Sequence, residues 1–558
     1  MTDDSQMQTR HGGRVLVDAL SHNGVDTVYC VPGESYLPVL DALYDAPGIQ
    51  TIVTRHEGAA ANMADAYGKL TGRPGICFVT RGPGATHASI GVHTARQDST
   101  PMILFVGQVE TKFMGREAFQ ELDYRQVFGT LAKWVTEIET FSRIPEIVAR
   151  AFAVATSGRP GPIVVALPED VLFASGKVAD AGTAQPVSGS PGEASLQSLR
   201  ALLARAQRPL LIVGGTGWDA QARASLADFV RLNDLPVAAS FRRQDLFDND
   251  DEHYAGQIGI GISPALAQTV KSADLLIVLG SRLGEVPSGG YELVRSPVPV
   301  QTLVHIHPDP QELGRVYQAG LPINAGVAST ARALAQLAPV ASAAWKTWRA
   351  DVRQAYLEHS TPLTRAEDAA CVDLAQVVLY LRETLPPDAI IANGAGNYTV
   401  WVHRFYRYRH PATQLAPTSG AMGYGFPAAI AAKLRYPRRT VVCFAGDGCF
   451  MMYPQELATA MQYGAAVIVI VVNNGMLGTI RMHQEREYPG RISATGLRNP
   501  DFVAFAKSFG AYGERVERTE AFPAAFERAQ QAGVAALIEL RTDPRQITPA
   551  LRLNSTDE

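Results

Sequence analysis

Cysteine is scarce in this chain: 558 residues contain five, Cys30, Cys77, Cys371, Cys443 and Cys449, scattered and without CxxC spacing. A disulfide framework and a thiolate zinc site are therefore excluded as organising elements, and reduced thiols are expected. Long apolar runs are also missing. The longest, Ala465–Val472, is strand-sized, whereas a membrane span needs about 18 residues, so no membrane association is expected. Excess charge of one sign is lacking: 50 basic against 54 acidic residues leave −4, with no basic balance to favour a nucleic-acid partner. The polar start, Met1–Gly13, has no apolar stretch behind a basic end, which predicts a cytoplasmic protein rather than an exported one. An acidic small-molecule substrate stays compatible, because the local field of a cleft matters more than the total.

What is present suits several cores. Hydrophobic residues make up 46% and charged residues 19%, and at ~100–200 residues per domain the length suggests three or four units. Ser175–Ser195 is small, polar and rich in Gly and Pro, and reads as a linker. A charged, helix-biased stretch around Val340–Ala370 separates two further regions less sharply. In the first block, Gly75–Thr80 and Met102–Val106 read as buried strands and Ala59–Leu70 as a helix. In the second, Pro209–Val213, Leu275–Leu279 and Thr302–Ile306 are strand-like; in the third, Thr440–Ala445 and Ala465–Val472 flank a helix over Pro454–Gln462. Continuous apolar strands alternating with helices predict parallel sheets covered on both faces. The fold class expected is α/β, with three consecutive domains at 10–174, 196–340 and 371–550. The first and third blocks are compatible with an old duplication.

The most informative segment is Val441–Asn474, VVCFAGDGCFMMYPQELATAMQYGAAVIVIVVNN, a strand–helix–strand unit. Pro454 suits a first helical position, and Gly464 can close the helix. A right-handed crossover brings the carboxyl ends of both strands to one sheet edge, where open α/β sheets bind ligands. Asp447 follows the first strand and Asn474 the second, so their oxygens can converge on an octahedral Mg2+, leaving room for phosphate oxygens and water. Gly446 and Gly448 allow close backbone approach, and the following amides, Cys449 included, can receive negative charge. Alone, GDG is more often a tight turn; its place between an apolar strand and a helix favours the ligand reading.

The spacing from Gly446–Asp447–Gly448 to Asn473–Asn474 is similar to the thiamine diphosphate signature, and the whole chain resembles the acetolactate synthase-like family. The resemblance implies pyrimidine-binding, central and diphosphate-binding domains in that order. It implies thiamine diphosphate and Mg2+ as cofactors, the metal held by Asp447, Asn474 and the Met476 carbonyl. TSGAMGYGFPAAIAA (Thr418–Ala432) is similar to the segment supporting the bent cofactor, with Ser419, Ala421 and Met422 against it. NGAGNY (Asn393–Tyr398) resembles the diphosphate loop, with Gly396, Asn397 and Tyr398 in contact, although Asn397–Tyr398 stand where Gln-His is usual. TRHEGAAANMADAYGKLTGRPG (Thr54–Gly75) resembles the motif of the activating glutamate. That assigns Glu57 to the aminopyrimidine ring; a helix-start glutamate stabilised by the macrodipole is the plain alternative. RGPGATH (Arg81–His87), STPMILFVGQ (Ser99–Gln108) and AFQELD (Ala118–Asp123) match in order and spacing. The resemblance further implies a homodimer, often paired into a tetramer, with the active site across the dimer interface.

The implied activity is decarboxylation of a 2-oxo acid such as pyruvate, followed by protonation or by attack on a second carbonyl. Gln120 is a candidate catalytic residue, and Glu34, His87, Phe119 and His483 are candidate substrate contacts. Three departures narrow the reading. Glu34 stands where biosynthetic acetolactate synthases carry a glycine. His483 stands where they carry the Trp that favours the larger keto-acid acceptor. In the middle block His307 replaces an acid expected at the adenosine ribose, so FAD is compatible with the fold but is not predicted. A flavin-linked 2-oxo acid oxidase, an acyl-CoA lyase and a degenerate regulatory protein are the alternatives; retention of Glu57, Asp447 and Asn474 weighs against the last.

Overall fold

Apolar runs without a polar face can be stable only as strands covered on both sides, and three such sheets form the protein. The computed structural model of the protein describes residues 8–341, 343–362 and 371–553. Most of the polar start (1–7) and the end of the second predicted linker (363–370) lie outside the described residues. The chain forms two compact units. The first runs to Val187 and includes 430–435 and 458–463; the second takes the remaining described residues.

The first sheet comprises β1 (Thr27–Cys30), β2 (Gln50–Val53), β3 (Gly75–Val79), β4 (Met102–Gln108), β5 (Trp134–Glu137) and β6 (Pro162–Pro168). The central sheet comprises β7 (Pro209–Val213), β8 (Val237–Ala239), β9 (Tyr254–Gln257), β10 (Leu275–Leu279), β11 (Thr302–His307) and β12 (Leu321–Asn324). The third comprises β13 (Ile390–Asn393), β14 (Gln414–Leu415), β15 (Val441–Gly446), β16 (Ile468–Asn473), β17 (Tyr512–Val516) and β18 (Ala536–Arg541). All neighbours within these three sheets are parallel. The first sheet is ordered β2-β1-β3-β4-β6-β5 and the third β14-β13-β15-β16-β18-β17, the same wiring; the central order is β9-β8-β7-β10-β11-β12.

The central strands β3, β4, β6, β7, β10 and β16 are buried along their whole length, as continuous apolar sequence requires. Helices α1 (Glu57–Thr71) and α2 (Gly82–Asp98) serve the first sheet. Their seam is built from small residues: a Cβ on Gly91 would lie 2.4 Å from the Cβ of Ala61. In the second unit α3 (Lys346–His359) falls inside the stretch read as a separator. Its charged outer face hides a packed inner one, where Val352 and Tyr356 are buried and Trp345, just before it, donates its indole N–H to the Asn233 carbonyl at 3.0 Å. The separator is therefore largely part of the second unit's core.

Three more helices position the site, α4 (Tyr398–Phe405), α5 (Asp447–Phe450) and α7 (Gly478–Glu487), while α6 (Leu457–Gln462) follows α5 along the chain. The helix expected over Pro454–Gln462 is a 3-10 turn at Pro454–Glu456 running into α6, and Gly464 closes it at φ +64°. All five cysteines are free, Cys371 alone being half-buried. Among the described residues no helix is long and apolar enough to cross a membrane.

Candidate active site

In the second unit the decisive geometry lies at the carboxyl ends of β15 and β16. Asp447, the first residue of α5, is 2% exposed. Its Oδ1 accepts the Gly448 N–H at 2.9 Å, and its Oδ2 accepts the Gly475 N–H at 2.9 Å and Asn499 Nδ2 at 2.7 Å. Asn473 ends β16 and turns inward: Nδ2 donates to Glu539 Oε1 at 2.7 Å, while Oδ1 accepts from Asn499 Nδ2 at 3.1 Å. Glu539, fully buried on β18, is balanced by Arg515, whose Nε lies 2.7 Å from Oε2. Gly475, at φ +67°, then reverses the chain. Asn474 Oδ1 accepts the Met476 N–H at 3.2 Å, and the Met476 carbonyl accepts the Gly478 N–H at 3.0 Å.

Asp447, Asn474 and Met476 stand on the wall of one cavity of about 280 Å3. Gly446, Gly448 and Cys449 continue that wall from α5, and Gly396, Asn397 and Tyr398 bring in the start of α4. Met422 and Gly420 also line it; Ser419 and Ala421, on either side of Gly420, do not. The Tyr398 hydroxyl is turned into the floor, accepting the Gly394 N–H at 3.1 Å and donating to Cys449 Sγ at 3.4 Å. Burial holds that phenol well above its ordinary pKa, so it stays protonated. Asn397 Oδ1 accepts from Thr479 Oγ1 at 3.0 Å and ties the loop to α7. A Cβ on Gly448 would lie 2.9 Å from Leu477 Cδ2 and 3.1 Å from Leu497 Cδ1, so those two side chains close over the turn.

In the first unit, Glu57 is the first residue of α1. His56 caps that helix, its Nδ1 accepting the Gly58 N–H at 2.9 Å, and Thr54 Oγ1 donates to the His56 carbonyl at 3.0 Å. Glu57 Oε2 lies 2.8 Å from His87 Nδ1 on α2, and the His56 and His87 rings stack with centroids 4.7 Å apart. Burial, with His87 adding to it, holds His56 below its ordinary pKa, opposed by the charge of Glu57. Gly84 packs closely on the other side: a Cβ there would lie 3.6 Å from Glu57 Oε1, 3.3 Å from Val79 Cβ and 3.0 Å from Thr80 Cγ2. Gln120 takes a left-handed φ of 64°, and its carbonyl accepts the Gly82 N–H at 3.0 Å at the start of α2.

Three family models cover most of the chain: the thiamine pyrophosphate enzyme N-terminal TPP-binding domain over residues 10–127, the central domain over 196–334 and the C-terminal TPP-binding domain over 394–540. The acetolactate synthase isozyme 2 large subunit of Escherichia coli (strain K12) is 33% identical over 519 residues, 93% of either chain. The chain belongs to the acetolactate synthase-like thiamine diphosphate enzymes. The acetolactate synthase large subunit of Parasynechococcus marenigrum is 34% identical, covering 96% of this chain and 88% of that one. A probable acetolactate synthase large subunit of Methanocaldococcus jannaschii is 32% identical over 96% and 93%.

A thiamine diphosphate enzyme needs an anchor for a metal–diphosphate pair, and Asp447 fits one. Burial pushes its carboxyl up, and the donors Gly448, Asn499 and Gly475 pull it down. Among the described residues no basic side chain pairs with it, so its charge is met only by amides until a cation arrives. Asn499 was invisible to motif reading: it lies far along the chain from Asn474 in an irregular loop, and only Pro500 and the helix-capping Asp501 mark the place.

The remaining candidates are each placed within their own unit. Glu34 is exposed at the start of a short 3-10 turn after β1, behind Gly33, whose Cβ would meet the Thr80 Cβ at 2.6 Å. Phe119 is 73% exposed. His483 is exposed on α7, where its Nδ1 accepts from Arg486 Nη2 at 3.0 Å. In the central sheet His307 is buried, with Nδ1 accepting the Asp309 N–H at 3.1 Å.

Proposed function

We propose that the protein is a thiamine diphosphate- and Mg2+-dependent enzyme that decarboxylates a 2-oxo acid such as pyruvate and joins the remaining carbons to a second carbonyl. The observation that carries this is Asp447, a buried carboxylate met only by amides on the wall of a cavity that also holds Asn474, Met476 and the α4 loop. In this reading the Asp447 and Asn474 side chains and the Met476 carbonyl hold the metal. Backbone at Gly446, Gly448, Cys449, Gly396 and Asn397 receives the diphosphate, with the Tyr398 ring against it. Ser419, Ala421 and Met422 support the bend of the cofactor. Bound there, the cofactor supplies the carbanion-stabilising chemistry that a protein side chain lacks.

Glu57 contributes the proton-handling carboxyl at the head of α1. Its helix-start position favours the anion. Gln120, Glu34, His87, Phe119 and His483 form the proposed substrate side. A carboxylate at Glu34 alters the charge met by the acceptor, and His483 replaces the Trp that favours the larger keto acid, which argues against branched-chain biosynthesis. The same reading assigns pyrimidine-binding, central and diphosphate-binding domains to 10–174, 196–340 and 371–550, a cytoplasmic location, and a homodimer or tetramer with the site shared across the dimer interface.

The test is a panel of 2-oxo acids with and without thiamine diphosphate and Mg2+, reading carbon dioxide and ketol products by mass spectrometry. Cofactor- and metal-dependent ketol is expected from at least one acid. Turnover that survives chelation, or an E57Q variant as fast as the parent, would sink the assignment.

A further inference from the structure

The contact between Glu57 and His87 has a direction. Glu57 is mostly covered, its side chain 13% exposed, whereas His87 is 53% exposed. Of the two carboxylate oxygens, Oε2 is held by His87 Nδ1 at 2.8 Å; among the described residues Oε1 has no hydrogen-bond partner and lies on the Gly84 side. Of the two imidazole nitrogens, Nδ1 faces the carboxylate, and among the described residues Nε2 has no partner. The ring cannot swing freely, because His56 stacks on it at 4.7 Å and is itself pinned to the Gly58 N–H. Both histidines are fixed to helices whose seam admits no extra methyl at Gly91. The result is a line of polar atoms from solvent to a largely covered carboxyl: Nε2, Nδ1, Oε2, Oε1.

We infer that His87 is the positioning and proton-exchange residue of Glu57, aiming Oε1 at the reacting partner and linking Oε2 to solvent. This rests on the reading of Glu57 given above. The exchange balances without any net change of charge. A neutral Glu57, protonated on Oε1, gives that proton to its partner while Oε2 takes the Nδ1 proton of His87 and Nε2 takes one from solvent. In the reverse step Oε1 receives a proton, Oε2 returns one to Nδ1, and Nε2 releases one to water. Neither ring has to flip, and the groups facing His87, namely Glu57 and His56, stay in place throughout. A carboxyl without such an outlet would trade protons only by opening its own site to water.

Two readouts on the full-length protein test this. In the cofactor-free protein, nitrogen NMR of the histidine rings should show neutral His87 carrying its proton on Nδ1, and E57Q should abolish that preference. With thiamine diphosphate and Mg2+ bound, hydrogen–deuterium exchange at the cofactor's acidic carbon should slow by roughly 100-fold in H87Q, the low end of what acid–base groups contribute. Cofactor affinity should stay unchanged. In H87A, added imidazole should restore exchange in a concentration-dependent way. Parental exchange in H87Q, or a loss in H87A that imidazole cannot restore, overturns the inference. E57Q separates the two ideas: if E57Q exchanges normally, the role of Glu57 falls, and if it stops exchange while H87Q does not, only the role of His87 falls.

Discussion

Removing Asn499 should weaken the proposed metal site without touching a residue assigned to the metal. Its amide donates at 2.7 Å to Asp447 Oδ2 and at 3.1 Å to Asn473 Oδ1, so N499A deletes one bond to a carboxylate and one to a neutral oxygen. Such bonds contribute about 1.5–3 and about 0.5–1.5 kcal/mol respectively. Water entering the gap would recover part of that sum. What reaches the metal is the share that kept Asp447 aimed, and outer-shell partners of metal ligands typically govern ~10–100-fold of affinity. At about 1.4 kcal/mol per tenfold this is about 1.4–2.8 kcal/mol, less than the two bonds together contribute. Trp401 lines the same cavity, so its fluorescence offers the titration signal for Mg2+ at saturating cofactor. The fold is checked by thermal melting, where a loss of 1 kcal/mol would shift the midpoint of so large a chain by only ~1 °C. A variant that binds Mg2+ within about twofold of the parent would refute the claim that Asn499 orients Asp447.

Other perturbations separate packing from chemistry. G91A places a methyl 2.4 Å from the Ala61 Cβ and should force α1 and α2 apart. A loss of about 1–3 kcal/mol in urea unfolding is expected, with slower turnover because Glu57 and His87 ride on those helices; parental stability would contradict the seam. Y398F strips the Gly394 N–H of its acceptor, at about 1–3 kcal/mol, yet should leave cofactor affinity nearly unchanged because the hydroxyl points into the floor. A large rise in cofactor Kd without loss of stability would show a phosphate contact instead. Acid should destabilise the second unit. Burial, with Arg404 adding to it, pushes His359 down to about 4, and burial holds His403 well below its ordinary range. The unfolded chain protonates these rings near pH ~6.5 while the folded one does not, so stability is full above that value and falls toward about 4. H359Q should flatten the decline in urea midpoint between pH 7 and 5 relative to the parent; an identical slope would argue against His359.

Sequence made the sheets legible because their strands are buried on both faces: β7 and β10 occupy the residues expected of them, and β3, β4 and β15 shift only at their ends. The placing of Asp447 and Asn474 at adjacent strand ends followed from crossover handedness alone. Side-chain direction was less accessible. Nothing in NGAGNY says that the Tyr398 hydroxyl turns down to Gly394 and Cys449, since that depends on Gly423 and α5 folding beneath it. Asn499 carries no periodic or turn signal that distinguishes it from any loop asparagine; its role exists only once Asp447 and Asn473 are brought to it. The charged helix α3 read as a boundary because its outer residues outnumber the few that pack.

The first and third sheets share one wiring, which is what an old duplication of a single gene would leave. Side chains can be exchanged one at a time, each at small cost, until no resemblance between two copies survives. Strand order cannot drift in that way, because moving one strand breaks every ladder it shares in a single step. A gene that doubled could thus lose its repeat in letters and keep it in connectivity. On that view the glutamate after β2 and the aspartate after β15 are later specialisations of one ancestral ligand edge. The middle sheet, with another order, would be an addition of separate origin.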